Sequence, residues 1–211
     1  TKDWMAQLVQ KSEKGGTDRS IWAIDRGVNI CHTLSLPPAH LIGDRDSAAH
    51  DAWAWAEEHG ARVHAFPPAK DFTDTELALR IAAELMPCAL VILTGAFGGR
   101  FDHLMSVASV AAHAALPCIL ADEREALFFL HGDESLTITC DSPPQAISLL
   151  PFAEECTGIT TNGLRWELNG AQIHTHSSTT ISNVLAESNT EHRFSVTLGS
   201  GILGVYLCHK E

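Results

Sequence analysis

The sequence predicts an α/β N-terminal domain, a mainly parallel sheet flanked by helices, followed by a small all-β C-terminal sandwich or barrel. Three observations predict it. Up to about residue 130, helix-like and strand-like segments alternate, the grammar of a parallel sheet covered by helices. After about residue 132 helical spacing stops, and short apolar runs punctuated by Gly, Asn, Ser and Pro take over. In the middle, Leu93-Thr94-Gly95-Ala96-Phe97-Gly98-Gly99-Arg100-Phe101-Asp102-His103 joins the end of a strand to the start of a helix through closely spaced glycines. The composition shift near His131-Gly132-Asp133 sets the division: domain 1–131 and domain 132–211.

Each element follows from its residues. Trp4 to Lys14 reads as a helix and Ile21 to Ile24 as a short apolar strand. Leu41-Ile42 is strand-like; Ser47 to His59 is a helix with Trp53 among its apolar positions, and Arg62 to Phe66 is a strand. Thr73 to Met86 is the clearest helix: Thr73 and Glu76 form a capping box, and Leu77, Ile81 and Leu85 repeat at helical spacing. Ala89 to Leu93 is a strand, Leu104 to Ala115 a helix, and Cys118 to Ala121 and Ala126 to Leu130 are strands. The second domain offers short strands at Leu136 to Thr139, Ala146 to Leu150, Thr157 to Thr161, Ala171 to His174, Arg193 to Leu198 and Ile202 to Leu207.

Composition narrows the function. A chain of 211 residues that is 45% hydrophobic and 19% charged buries a core. A net charge of −12 argues against nucleic acid and against anionic membrane as main partners. No apolar run approaches the ~20 residues of a membrane span. The six cysteines are scattered, without a Cys-x-x-Cys pair, and no signal-peptide pattern is seen; they are expected to be reduced thiols in a cytoplasmic protein. His174 and His176 alternate as on one face of a strand.

Acidic turns follow the strand-like runs. Gly43-Asp44-Arg45-Asp46-Ser47 places two carboxylates two residues apart. In an extended loop they point to the same side, where a cation must relieve their repulsion. Mg²⁺ suits them, because it prefers oxygen and is held by one or two carboxylates plus substrate phosphates. An ordinary alternative is a turn in which Asp46 or Ser47 caps the helix from Ala48. Lys70-Asp71-Phe72-Thr73-Asp74 adds two carboxylates and a cation at a helix start, where acidic residues also serve as dipole compensation. Asp25-Arg26-Gly27-Val28-Asn29 is a further polar turn. Since ligands of parallel sheets bind beyond the carboxyl ends of the strands, Asp25, Asp44, Asp46 and the Gly95–Asp102 turn are expected to share one edge. Together they describe a Mg²⁺–polyphosphate site.

The order of these motifs, followed by Gly163-Leu164-x-Trp166-x-Leu168 and Ser182-Asn183, resembles the thiamine pyrophosphokinase family over roughly residues 21 to 207. The resemblance implies an enzyme that transfers the diphosphate of ATP to the hydroxyl of thiamine, giving thiamine diphosphate and AMP. It implies a homodimer with thiamine bound between subunits. It implies Mg²⁺ on Asp44, Asp46 and Asp74, and ATP contacts or their bracing from Asp25, Asn29, Lys70, Asp71, Thr94, Arg100 and Asp102. It places thiamine against Trp166, Ser182 and Asn183, and chemistry on Asp46, Asp74 and Arg100. The roles have a physical basis: such transfer is mostly positioning plus charge stabilisation, and an indole face suits an aromatic cation. Either Asp46 or Asp74 can orient the thiamine hydroxyl or accept its proton.

Two departures from the family pattern stand out: Arg45 where an apolar aromatic is usual, and Arg26 where glycine is usual. Two other readings compete. An Asp-x-Asp metal-dependent nucleotide-sugar transferase accounts for Asp44 and Asp46, but leaves the Gly99–His103 turn and the β domain unexplained. A non-catalytic thiamine- or nucleotide-binding module predicts binding without turnover.

Overall fold

A computed structural model describes residues 4–9, 19–45, 48–66 and 71–209. The chain divides into two compact units, Thr1–Ala89 and Leu90–Glu211. The expected domain boundary after residue 131 falls inside the second unit, between two of its strands.

In the first unit, residues 4–9 are helical (α1). Then come β1 (Trp22–Ile24), α2 (Gly27–Thr33), β2 (His40–Gly43), α3 (His50–Glu58), β3 (Arg62–Ala65) and α4 (Asp74–Leu85). The strands lie in the order β1-β2-β3 and all pair in parallel. Period-two alternation sends Ala23, Leu41 and Val63 to one face. There they pack with Val28 and Cys31 of α2 and with Ala52, Trp53 and Ala56 of α3. The other face begins with stacked rings: Trp22 lies 4.0 Å from His40, and His40 lies 5.1 Å from His64. Helix α4 packs against β1 and β2.

Helix α4 forms where its spacing predicts it. Thr73 is its N-cap and accepts a hydrogen bond from the Glu76 N–H at 3.2 Å. The Glu76 carboxylate takes Arg80 one turn on, at 2.7 Å. Other boundaries depart from expectation. Helix α2 was not expected as an element. Helix α3 starts at His50, and its N-cap is Ala49 rather than Asp46 or Ser47. The Ala49 N–H is instead taken by the Asn29 side-chain oxygen of α2, at 3.0 Å.

The second unit contains β4 (Val91–Leu93), α5 (Phe101–Ala112), β5 (Cys118–Ala121), β6 (Glu125–His131), β7 (Ser135–Thr139), β8 (Ala146–Pro151), β9 (Glu155–Asn162), β10 (Ala171–His174), β11 (Arg193–Thr197) and β12 (Ile202–Cys208). One sheet runs β4-β5-β6-β12-β8, the other β10-β9-β11-β7. Inward residues of both, among them Ile147, Leu149, Val205 and Leu203 from the first and Ile159, Ile173, Phe194 and Val196 from the second, join in one buried cluster. The C-terminal all-β expectation therefore stands as a sandwich of two sheets.

The mainly parallel sheet is found in part: β1, β2 and β3 are all parallel, but they form a sheet of their own, apart from β4 and β5. Strands β4 and β5 are parallel, but β6 returns antiparallel to β5 and pairs antiparallel with β12. The reason is the short turn at residues 122–124. Asp122 accepts the N–H groups of Arg124 and Glu125 at 2.9 and 2.8 Å, and so tight a turn can join only antiparallel strands.

Candidate active site

The parallel sheet of the first unit puts the ends of its strands on one edge. Asp25 follows β1 and Asp44 follows β2, so their carboxylates come from adjacent strands. The Asp25 N–H donates to the Ile42 carbonyl at 2.9 Å, extending the β1–β2 ladder into the turn. Both turns use unusual backbone: Asp25 has φ +46° and Gly43 φ +143°. A side chain on Gly43 would lie in contact with Asp25 Oδ1 and 3.2 Å from its Cγ. Glycine is needed there because the Asp25 carboxylate lies over its Cα.

Asp74 heads α4, the helix that packs on β1 and β2. The resemblance placed Asn29 near the nucleotide. In the structure its side chain braces the start of α3, the helix that follows the Asp44 turn. Asp46, Ser47 and Lys70 lie outside the described residues. Arg45 has φ +71°; its guanidinium donates to Glu57 of α3 and lies 5.1 Å from the Trp53 ring centroid.

The donor chemistry of this edge fits a hard divalent cation. Asp25, Asp44 and Asp74 supply carboxylate oxygens. Among the described residues, which leave out Asp46, no three His, Cys, Asp or Glu side chains gather where they could hold a metal ion.

In the second unit the Gly-rich turn follows β4, with Gly95 and Gly98 at positive φ. It leads into α5, which begins at Phe101, three residues earlier than its spacing predicts. Arg100 is its N-cap residue, and Asp102 lies in its first turn. The two are joined: Arg100 Nε and Nη2 donate to the Asp102 carboxylate at 3.1 and 2.5 Å, and the His103 N–H donates to Asp102 Oδ1 at 3.0 Å. The guanidinium contact holds the Asp102 carboxyl below the usual carboxylate range and pushes Arg100 further up. Asp102 thus fixes the direction of Arg100 at the mouth of a helix N-terminus. The shared edge expected for this turn and for Asp25 and Asp44 is not borne out as one sheet, since β4 pairs with β5 and not with β1–β3.

Trp166, Ser182 and Asn183 come together on the sandwich. The Asn183 Nδ2 group donates to the Trp166 carbonyl at 2.8 Å, and the Trp166 N–H donates to Asn183 Oδ1 at 3.3 Å. Asn183 itself exchanges two backbone bonds with Ile147 of β8, at 2.7 and 2.8 Å. The indole meanwhile stays 58% exposed. The Arg165 guanidinium lies 5.2 Å from its ring centroid. Ser182 takes φ +62°, and its N–H donates to the hydroxyl of buried Ser148 at 3.0 Å. Gly163 opens this loop at φ +84°; a side chain there would meet the Arg193 carbonyl at 2.6 Å.

Sequence reasoning missed Ser148 and the Arg45–Glu57–Trp53 contact. Ser148 sits in an otherwise apolar strand, and a polar residue there is the one signal that marks it. The partners of Arg45 carry no local signal.

The first unit presents an oxygen-rich edge on a parallel α/β sheet, and the second presents an exposed indole clamped to a β-sandwich: an α/β part followed by a β part, each with its own polar or aromatic feature. Comparison with known proteins gives the family. A model described as the thiamin pyrophosphokinase catalytic domain matches residues 16–119, and one described as its vitamin B1 binding domain matches residues 135–203. The first span holds Asp25 through Asp102; the second holds Trp166, Ser182 and Asn183. The chain belongs to the thiamin pyrophosphokinase family. A thiamine pyrophosphokinase of Bacillus subtilis (strain 168) is 28% identical over 186 residues, 86% of each chain. A crystal structure of thiamine pyrophosphokinase from Bacillus subtilis matches with a TM-score of 0.78 at 26% identity, over 94% of this chain and 92% of that one. A family protein from Enterococcus faecalis shares the fold, with a TM-score of 0.77 at 21% identity over 90% and 88% of the chains.

Proposed function

We infer that this chain transfers the diphosphate of ATP to the hydroxyl of thiamine, giving thiamine diphosphate and AMP. The observation that carries the reading is the order of the two family matches, the first spanning the acidic turns and the Gly-rich turn, the second spanning the exposed indole and Asn183. The curated relative from Bacillus subtilis bears the same name over 86% of both chains.

In the reaction the hydroxyl oxygen attacks the β-phosphorus. The bond from that phosphorus to the oxygen it shares with the α-phosphate breaks, and AMP leaves with the electron pair. The hydroxyl proton passes to a carboxylate, Asp46 or Asp74. Asp44, Asp46 and Asp74 would hold Mg²⁺, which would supply neutralisation of the negative charge on the phosphates. Asp25, Asn29, Lys70, Asp71, Thr94, Arg100 and Asp102 are assigned to ATP or to bracing its contacts. For Asn29 and Asp102 the bracing role is favoured, because each is hydrogen-bonded to a neighbouring group in the turn it serves. Trp166 offers its exposed face to the thiamine rings, and Ser182 and Asn183 complete that pocket. An aromatic cation on an indole gains stacking and cation–π attraction.

The functional division at residues 131/132 is supported by family models that end at 119 and begin at 135. A homodimer is part of the same reading, and so is a reducing, cytoplasmic setting. All six cysteines are unbridged, and burial pushes the Cys31 and Cys118 thiols up to about 11, which keeps them protonated and unreactive. No helix among the described residues is long and apolar enough to cross a membrane.

Product analysis tests the function. Incubation with ATP, thiamine and Mg²⁺ yields AMP and thiamine diphosphate in equal amounts. Release of UDP or GDP from a sugar donor, or thiamine binding without turnover, refutes it.

A further inference from the structure

We propose that Asn189 is a positioning residue for the indole site: it locks the loop that carries Trp166 to strand β11. The proposal rests on the reading that this indole receives thiamine. The loop, residues 163–168, lies between β9 and β10, so its shape is set by what grips it. At its end, the Leu168 N–H donates to the hydroxyl of buried Thr161 at 2.9 Å, and the Leu168 carbonyl takes the Thr161 N–H at 3.0 Å. In its middle, Asn183 holds the Trp166 main chain. At its start the grip belongs to Asn189. Its Nδ2 group donates to the Gly163 carbonyl at 2.8 Å and to the Arg193 carbonyl at 2.6 Å. Its Oδ1 accepts the Arg193 N–H at 3.2 Å. Both donors of the amide are thus in use, one on the loop and one on the strand.

The amides of Asn183 and Asn189 stand at the two ends of one strap, residues 183–189. The loop runs antiparallel beside that strap. Leu164 pairs with Leu185, the Arg165 N–H donates to the Val184 carbonyl at 2.9 Å, and the Ala186 N–H donates to the Gly163 carbonyl at 3.0 Å. Asn189 ties loop and strap to β11 where the loop leaves β9. That strand is a fixed body, since Phe194 and Val196 are buried in the core. The amide comes so near only because residue 163 is glycine; a side chain there would lie 2.9 Å from Asn189 Nδ2. Leu164 sinks into the core and sets the depth of the loop. Asn189 sets the direction in which the chain leaves Gly163. The indole is mostly exposed, so packing does little to aim it, and the main chain beneath it does. A ring aimed in advance binds with a smaller ordering cost than one carried on a mobile loop.

The test uses the full-length protein, with thiamine as the probe. Asn189→Ala is expected to raise the thiamine KM by about three- to tenfold, the effect of losing one or two hydrogen bonds. It should leave kcat and the ATP KM within about twofold of wild type, because ring binding weakens equally in the ground and transition states. On a Trp166→Ala background the same change should add less than about twofold to the thiamine KM, since a residue that acts through the indole then has nothing to aim. Hydrogen exchange should quicken in a peptide spanning residues 163–168 and stay as it is in β6 and β12; a general loss of structure would move all three. Should Asn189→Ala fail to fold, Asn189→Asp carries the test, because it keeps the oxygen that takes the Arg193 N–H and removes both donors. The proposal is overturned if exchange in 163–168 is unchanged, if kcat or the ATP KM moves as far as the thiamine KM, or if the loss is undiminished on the Trp166→Ala background. A Trp166→Ala protein with an unaltered thiamine KM overturns the thiamine reading of the indole; exchange in 163–168 then still decides the anchoring by Asn189.

Discussion

Replacing Gly43 by Ala probes the acidic edge most sharply, because two separate costs meet at one atom. The first is conformational: φ +143° is foreign to an L side chain, and a residue forced into such a region costs about 1–3 kcal/mol. The second is steric. The new methyl would press on Asp25 Oδ1, 3.2 Å from Asp25 Cγ and 3.5 Å from its Cα. Overpacking of that kind costs about 1–3 kcal/mol. The expected loss is therefore about 2–6 kcal/mol, the sum of the two ranges. Asp25→Gly separates them. It removes the carboxylate, and glycine accepts the φ of +46° at that position. Urea denaturation of wild type, both single variants and the double variant gives a coupling energy. The double variant should recover the steric share, about 1–3 kcal/mol, and keep the conformational share. A Gly43→Ala loss under about 1 kcal/mol, or strict additivity of the two changes, refutes the contact between Asp25 and Gly43.

Three further outcomes follow from the same structure. Trp166→Ala should raise the thiamine KM by about two- to thirtyfold, the range of a cation–π contact worth about 0.5–2 kcal/mol, while the ATP KM and stability stay close to wild type because the Asn183 clamp grips backbone; equal effects on both KM values remove Trp166 from the pocket. Asp46→Asn should abolish turnover at saturating Mg²⁺ with the far-ultraviolet dichroism unchanged, and retained activity counts against its metal and proton roles. The stacked pair His40 and His64, with Nδ1 and Nε2 2.8 Å apart, has both imidazoles held below their usual range, chiefly by burial and then by neighbouring positive charge. The unfolded chain thus binds protons that the folded chain refuses. Stability is full above the unfolded value of about 6.5 and falls as pH drops below it. His64→Gln should flatten that part of the stability–pH curve, and an unchanged curve disproves the assignment.

Much of this was readable from residue order, and the failures are local. Helix α4 was legible because a capping Thr73 and a helical apolar repeat agree. Helix α2 was not, since Gly27–Thr33 is short and includes β-branched Val28, Ile30 and Thr33, poor helix formers that only tertiary packing of Val28 and Cys31 makes helical. Helix α3 starts later than its sequence suggests: its N-cap Ala49 makes no side-chain cap bond, and the Ala49 N–H is taken by Asn29 of another helix. The alternation pattern left the direction of β6 open; the side-chain-capped turn before it decides it. The thiamine-side trio could be named from its motif, but the means of assembly, Asn183 gripping Trp166 across seventeen residues of chain, has no local signature. Nor do the partners of Arg45, which depend on a positive φ that sequence does not reveal.

The account turns on which phosphates move. ATP labelled at the β-phosphorus settles this directly when incubated with thiamine, Mg²⁺ and the enzyme. The account predicts that the label appears in thiamine diphosphate, one equivalent for each AMP formed. Label retained in ADP, with thiamine monophosphate as the product, contradicts it.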